Sequence, residues 1–161
     1  LRDDDRVRFA FVGGGRRKPE VEAFVKANGL EESCILAGYQ LREELDELLS
    51  AGDVHLVSLL DGAEGCIVPC KLFGIMAAAR PAIFIGNEAS EISRVIVENN
   101  AGVSVSQGDD EALVCAINAY VDDPTAREEA GDRARAALVA QHTRHDRCKA
   151  WMDLLESLVQ T

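Results

Sequence analysis

The sequence predicts an α/β fold: a three-layer domain with a parallel sheet of about five strands flanked by helices, and a helical segment at its C-terminal end. Three observations carry this. Short apolar runs rich in Val, Ile and Phe alternate with stretches whose apolar residues recur every three or four positions. The runs are apolar on nearly every residue, as expected of strands buried on both faces. Strands separated by helices need crossover connections, and crossovers give a parallel sheet. The 161 residues suit one domain, and an apolar fraction of 47% supports a substantial core.

Taken in order, Arg6 to Val12 reads as a buried strand ended by Gly13-Gly14-Gly15. A helix follows, with Pro19 in its first turn, Val21, Phe24 and Val25 on one face, and Asn28-Gly29 closing it. Ile35-Leu36-Ala37 is a short strand stopping at Gly38, and Leu41, Leu45, Leu48 and Leu49 mark a helical stripe. Val54 to Leu60 is a strand, and a polar loop from Asp61 to Gly65 leads to a helix around Cys70 to Ala79. Pro81 to Ile85 is a strand, Ile92, Val95 and Ile96 give a helix, and Gly102 to Ser106 gives the fifth strand. The remainder is helical. Leu113, Val114, Ile117 and Tyr120 form one stripe, Asp123-Pro124 caps an Ala-rich helix running to about Ala140, and Trp151, Leu154, Leu155 and Leu158 form the last stripe.

Charge and composition exclude several functions. A formal net charge of −11 repels phosphate backbones and argues against nucleic acid. The apolar runs are too short to span a bilayer, and Leu1 to Arg6 forms no signal peptide. Five cysteines, Cys34, Cys66, Cys70, Cys115 and Cys148, include no CxxC pair and no nearby histidine to complete a zinc site. They read as unpaired thiols of a reducing cytoplasm, and no metal site is expected.

Ligands of open parallel sheets bind beyond the carboxyl ends of the strands. Three loops fall there: Gly13 to Lys18, Gly38-Tyr39-Gln40, and Asp61 to Pro69. The third feeds a helix whose expected first residue is Pro69, with partnerless N–H groups on Cys70, Lys71 and Leu72. A lysine there opposes the helix dipole by up to ~1 kcal/mol, and a bound anion reverses the penalty. Gly65 lets backbone approach a ligand and Glu64 offers a carboxylate to sugar hydroxyls; a capped surface helix with a solvated Lys71 is the plainer alternative. Gly13-Gly14-Gly15 marks either close ligand approach or a flexible turn, and it is not a GxGxxG element. Arg16-Arg17-Lys18 suits a phosphate, but a solvated basic run fits better; Tyr39 is either a base-stacking ring or an ordinary half-buried tyrosine. His55 reads as a satisfied core histidine, with His142 and His145 on the surface.

Together these residues resemble the C-terminal, donor-binding domain of retaining glycosyltransferases of the GT-B fold and family 4 type. The match runs through Phe11 to Gly15, Ile35 to Tyr39, Leu48 to Val54, Glu64-Gly65, Pro69 to Gly74, Met76 to Ala78, Arg80-Pro81 and the Asp123-Pro124 helix. The Pro-x-Lys-Leu version looks most like bacterial enzymes that build surface polysaccharide from UDP-linked amino sugars. The resemblance implies a Rossmann-like domain spanning 1–161 that binds a nucleotide-diphosphate sugar. Glu64 would contact the donor sugar as the catalytic residue. The N–H groups of Gly65, Cys66 and Ile67 would hold the diphosphate with help from Lys71, Gly13 and Gly14 would line the site, and Tyr39 would border the base. No metal or other cofactor is implied, because protein dipoles and cations stabilise the leaving diphosphate. A glycan or lipid-linked acceptor would be held by an N-terminal domain. The implied location is cytoplasmic, or peripheral at the inner face of the cell membrane.

There are departures. The family's second, ribose-binding glutamate falls at Gly74, Glu64 lies ten residues before it rather than eight, and Cys70 and Ala79 replace a usual serine and glycine. A central strand that precedes this segment in the family is not in the sequence. The strands at Arg6 to Val12 and Val54 to Leu60 should therefore pair directly, leave the chain unstable and inactive alone, or be bridged by another chain in a homo- or hetero-oligomer. A non-catalytic subunit completing a partner is the alternative reading. A sugar 2-epimerase ranks lower, and a response-regulator receiver is disfavoured because Asp3-Asp4-Asp5 precede a strand rather than follow one.

Overall fold

The computed structural model of the chain describes residues 1–2, 4–63 and 70–159. Five strands alternate with helices: β1 (Phe9–Val12), α1 (Lys18–Ala27), β2 (Cys34–Ala37), α2 (Leu45–Ala51), β3 (His55–Ser58), α3 (Lys71–Ala77), β4 (Ala82–Ile85), α4 (Glu91–Glu98), β5 (Gly102–Val105), α5 (Asp110–Asp122), α6 (Pro124–Gln141) and α7 (Arg144–Val159). The expected α/β class with parallel strands is what the structure shows. All ladders are parallel, but they form two groups: β1 with β2, and β3-β4-β5.

β1 and β3 are not paired with each other, so of the three outcomes expected for these strands, direct pairing does not occur. In a parallel strand, both backbone groups of a residue face one side, and successive residues alternate. Phe9 and Gly13 donate to Ser33 and Ala37, so residues 8, 10 and 12 turn theirs away from β2. His55 and Leu59 donate to Pro81 and Ile85, so Leu56 and Ser58 turn theirs away from β4. Among the described residues, each strand therefore presents an edge with no strand beside it.

The core lies around β4. On one face of its sheet Phe84 shares a core cluster with Val57, Leu72, Ile75, Met76, Ile92 and Ile96, together with Ala134 and Ala137 of α6. On the other, Ile83 shares a cluster with Val105, Ala116, Tyr120 and Ala130. The strand predicted as buried at Arg6 to Val12 is shorter and more exposed: it starts at Phe9, and Phe11 is 44% exposed. Leu41 and Leu45 of the predicted stripe are likewise exposed, and a 3-10 turn at Arg42–Glu44 precedes α2. α7 forms as predicted, but its Trp151, Leu154, Leu155 and Leu158 are exposed. Among the described residues, no helix is long and apolar enough to cross a membrane.

Helix ends follow local chemistry. Ser90, Asp109 and Asp123 accept hydrogen bonds from backbone N–H groups in the first turns of α4, α5 and α6. Three helices close with the same two-bond C-terminal motif, and the left-handed residue in it is Gly29 after α1, Ala79 after α3 and Asn100 after α4. Ala79 (φ +53°) stands where the resembled family has glycine, and its methyl group makes that conformation costly.

Candidate functional site

The carboxyl ends of β1 and β2 bring three sequence-predicted residues together. Gly13 N donates to Ala37 O and Gly38 O, tying the glycine loop to the end of β2. Tyr39 leans over Gly14 so closely that a β-carbon on Gly14 would sit 2.6 Å from the ring. A side chain at Gly14 would have to shift the ring, so there is close approach here, and what approaches is the tyrosine itself. Tyr39 remains 83% exposed, so it is not the half-buried tyrosine of the plainer reading.

The basic run divides. Arg17 pairs with Glu20 on the surface, as a solvated run would. Lys18 does not: its ammonium donates to Gly13 O at 2.9 Å and to Ala37 O at 2.7 Å. Sequence reasoning missed this because a lysine beside two arginines gives no local sign of turning inward.

Lys71 belongs to the other sheet. α3 starts at Lys71 with Cys70 as its N-cap, later than the expected Pro69, and ends at Ala77. Lys71 Nζ donates to Leu56 O at 3.2 Å, one of the carbonyls on the open edge of β3. The residue as a whole is exposed, but its ammonium lies against that backbone. This local desolvation holds its pKa below the ordinary lysine value. Glu64, Gly65, Cys66 and Ile67, and Pro69 after them, lie outside the described residues.

Gly74, the position of the missing carboxylate, faces α2: a β-carbon there would meet Leu49 at 3.0 Å, so a glutamate would have to displace it. His55 is the satisfied histidine expected, donating from Nε2 to Leu49 O at 2.8 Å, and burial lowers its pKa. His142 is less superficial than predicted, because its ring packs 5.4 Å from that of Phe73. Among the described residues there is no disulfide and no cluster that could hold a metal; Cys34 is half-buried and Cys70, Cys115 and Cys148 are exposed. A surface groove of about 690 Å³ runs along α5 past Asp110, Glu111 and Asp122. Its carboxylates are the wrong sign for a phosphate, so we place the site at the strand ends.

Parallel strands flanked by helices, with loops gathered at the strand carboxyl ends, define a Rossmann-like α/β class of domain. The family model of the group 1 glycosyl transferases matches residues 1–123, and the chain belongs to that family. It is 35% identical over 118 residues to the probable glycosyltransferase WbjE of Pseudomonas aeruginosa, covering 71% of this chain and 28% of that protein. It is 26% identical over 111 residues to the amylovoran biosynthesis glycosyltransferase AmsK of Erwinia amylovora, covering 68% and 27%. Among solved structures, a S. aureus TarM complex containing UDP superposes with a TM-score of 0.78 at 18% identity, covering 94% of this chain and 29% of that one. Anabaena HepE with UDP-glucose gives 0.72 at 19%, covering 98% and 42%. The fold is that of GT-B glycosyltransferases, and the chain spans less than a third of the length of WbjE and AmsK.

Proposed function

We propose that this chain is the donor-binding domain of a glycosyltransferase that moves a sugar, of the amino-sugar kind, from a UDP-linked donor to a glycan or lipid-linked acceptor. The observation that carries the reading is the family match over residues 1–123, which contains all three loops at the strand carboxyl ends. Two structural neighbours whose folds match this chain hold UDP or UDP-glucose, which supports the choice of donor. In this reading Tyr39 borders the base, the N–H groups of Gly65, Cys66 and Ile67 and the Lys71 ammonium neutralise the diphosphate, and Glu64 meets the sugar. Charge that grows on the leaving diphosphate would then be met by backbone dipoles and a cation. The acceptor is held outside this segment, so the chain alone binds donor without turnover.

Calorimetric titration with UDP, GDP and their amino-sugar conjugates tests this, with Glu64→Ala and Lys71→Ala as controls. UDP binding that Lys71→Ala leaves unchanged removes the lysine from the anion site. The pH dependence has a definite sign. A bound anion favours the ammonium, and the Lys71 pKa lies below its ordinary 10.5. UDP affinity should therefore fall as pH rises through a window below that value, and Lys71→Arg should abolish the fall. A second reading, a non-catalytic subunit that completes a partner's sheet, is favoured by the open edges of β1 and β3. Co-purification with a partner and no nucleotide binding would select it.

A further inference from the structure

We propose that Lys18 is a positioning residue: its ammonium fastens the carboxyl ends of β1 and β2 together and so fixes where Tyr39 stands over Gly14. Its bearing on donor binding rests on the reading of this rim given above.

The two carbonyls it holds are the critical ones. Ala37 is the last residue of β2, and Gly13 is the first beyond β1. Tyr39 is two residues past the first and Gly14 one residue past the second, so each clamped carbonyl adjoins one side of the ring contact. Lys18 is the first residue of α1, so the clamp is rooted in a regular helix. Two backbone carbonyls also compensate a cation placed against the helix dipole, which explains why this side chain turns inward while Arg17 does not. The ring cannot be held by burial, because Tyr39 is 83% exposed. Backbone anchorage and the missing β-carbon of Gly14 hold it, and Lys18 adds two hydrogen bonds to the anchorage that Gly13 N gives. An ammonium with two of its three protons on carbonyls keeps one donor, so direct contact with an anion is the competing role.

The chain has two tyrosines, Tyr39 and Tyr120, and Tyr120 is buried against Ile83 and Ala116, so ring-labelled tyrosine gives an NMR reporter with an internal reference. In the 161-residue chain, Lys18→Met and Gly14→Ala should each move the Tyr39 resonances and leave those of Tyr120 in place, and Lys18→Arg should restore them. Unmoved Tyr39 resonances in a folded Lys18→Met chain overturn the clamp; if Lys18→Met does not fold, Lys18→Ala, which also removes the ammonium, decides it in the same way. The second arm is a double-mutant cycle on UDP affinity. Tyr39→Ala should weaken UDP by roughly ten-fold, the loss of one stacked base. Lys18→Met should weaken it less, and should add nothing in the Tyr39→Ala background. Multiplicative losses show that Lys18 touches the donor itself and overturn the positioning role. If the unaltered chain does not bind UDP, the donor reading fails, while the resonance arm still decides the clamp.

Discussion

Two strands of near-equal composition meet opposite fates in this molecule. β1 reads Phe-Ala-Phe-Val and β4 reads Ala-Ile-Phe-Ile, four residues each. Phe84 in β4 is fully buried, whereas Phe11 in β1 is 44% exposed. β4 has a strand on either side and helices over both faces; β1 has β2 on one side and an open edge on the other. In residues 1–44, Val7 and Val25 are the buried side chains among the described residues, while β3 to α6 contain two apolar clusters. Apolar composition therefore sets what a strand is able to bury, and its neighbours set what it does bury.

The largest expected consequence is in backbone protection. The amides of Ala10 and Val12 face the open edge, while those of Ile83 and Phe84 lie in a three-stranded ladder. In hydrogen exchange on the monomeric chain, the first pair should exchange on the order of a thousand-fold faster or more, since core amides open only with near-global unfolding. Strong, uniform protection of β1 and β3 would mean that the edge is closed in solution, and the contrast between the two regions would fall.

Side-chain truncation follows. Phe84→Ala should cost about 3–5 kcal/mol in denaturant unfolding, because it leaves a cavity in packed surroundings. Phe11→Ala should cost about 1 kcal/mol or less. Equal losses would show that Phe11 is covered by something in solution. Of the same size as the Phe11 loss is the effect of the helix-end motif that the two regions share. Ala79→Gly should stabilise the chain by about 1 kcal/mol by relieving the left-handed conformation, and Gly29→Ala should destabilise it by a similar amount. Thermal unfolding of the two variants against the parent reads both signs.

These contrasts also mark what was legible in the sequence. Elements whose signals are local were readable: the alternation of strands and helices, Pro19 and Pro124 at helix starts, and Asn28-Gly29 at a helix end. Burial of β1 was misjudged because the strand that would cover its edge is a long-range fact that Phe-Ala-Phe-Val does not contain. At the candidate site, the meeting of Gly13, Gly14 and Tyr39 follows from two strand ends paired in parallel, and their loops were recognisable as such. The inward turn of Lys18 was not, since it depends on where Ala37 O arrives from another strand. Ala79 was legible as a departure, and the structure supplies its cost in the backbone angle.

The finest test concerns the polar tie between the two regions. Arg6, just ahead of β1, donates to Asp4 at 2.8 Å and to Asp122 at the end of α5 at 2.9 Å. The Arg6 hydrogen bond holds the Asp4 carboxyl at about 2 rather than the usual 3.8. A carboxylate whose pKa is depressed on folding contributes stability that is whole above its unfolded value and is lost as pH falls through the folded one. The stability that the Asp4–Arg6 turn adds should therefore be whole above pH 3.8 and decline below it, the turn itself being half lost only near pH 2. NMR titration of the Asp4 carboxyl should give a midpoint near 2, moving up toward 3.8 in Arg6→Ala. Because all three groups meet solvent, Arg6→Ala should leave global unfolding almost unchanged. A marked drop would mean that this ion pair, and not packing, holds the β1–β2 region to the rest.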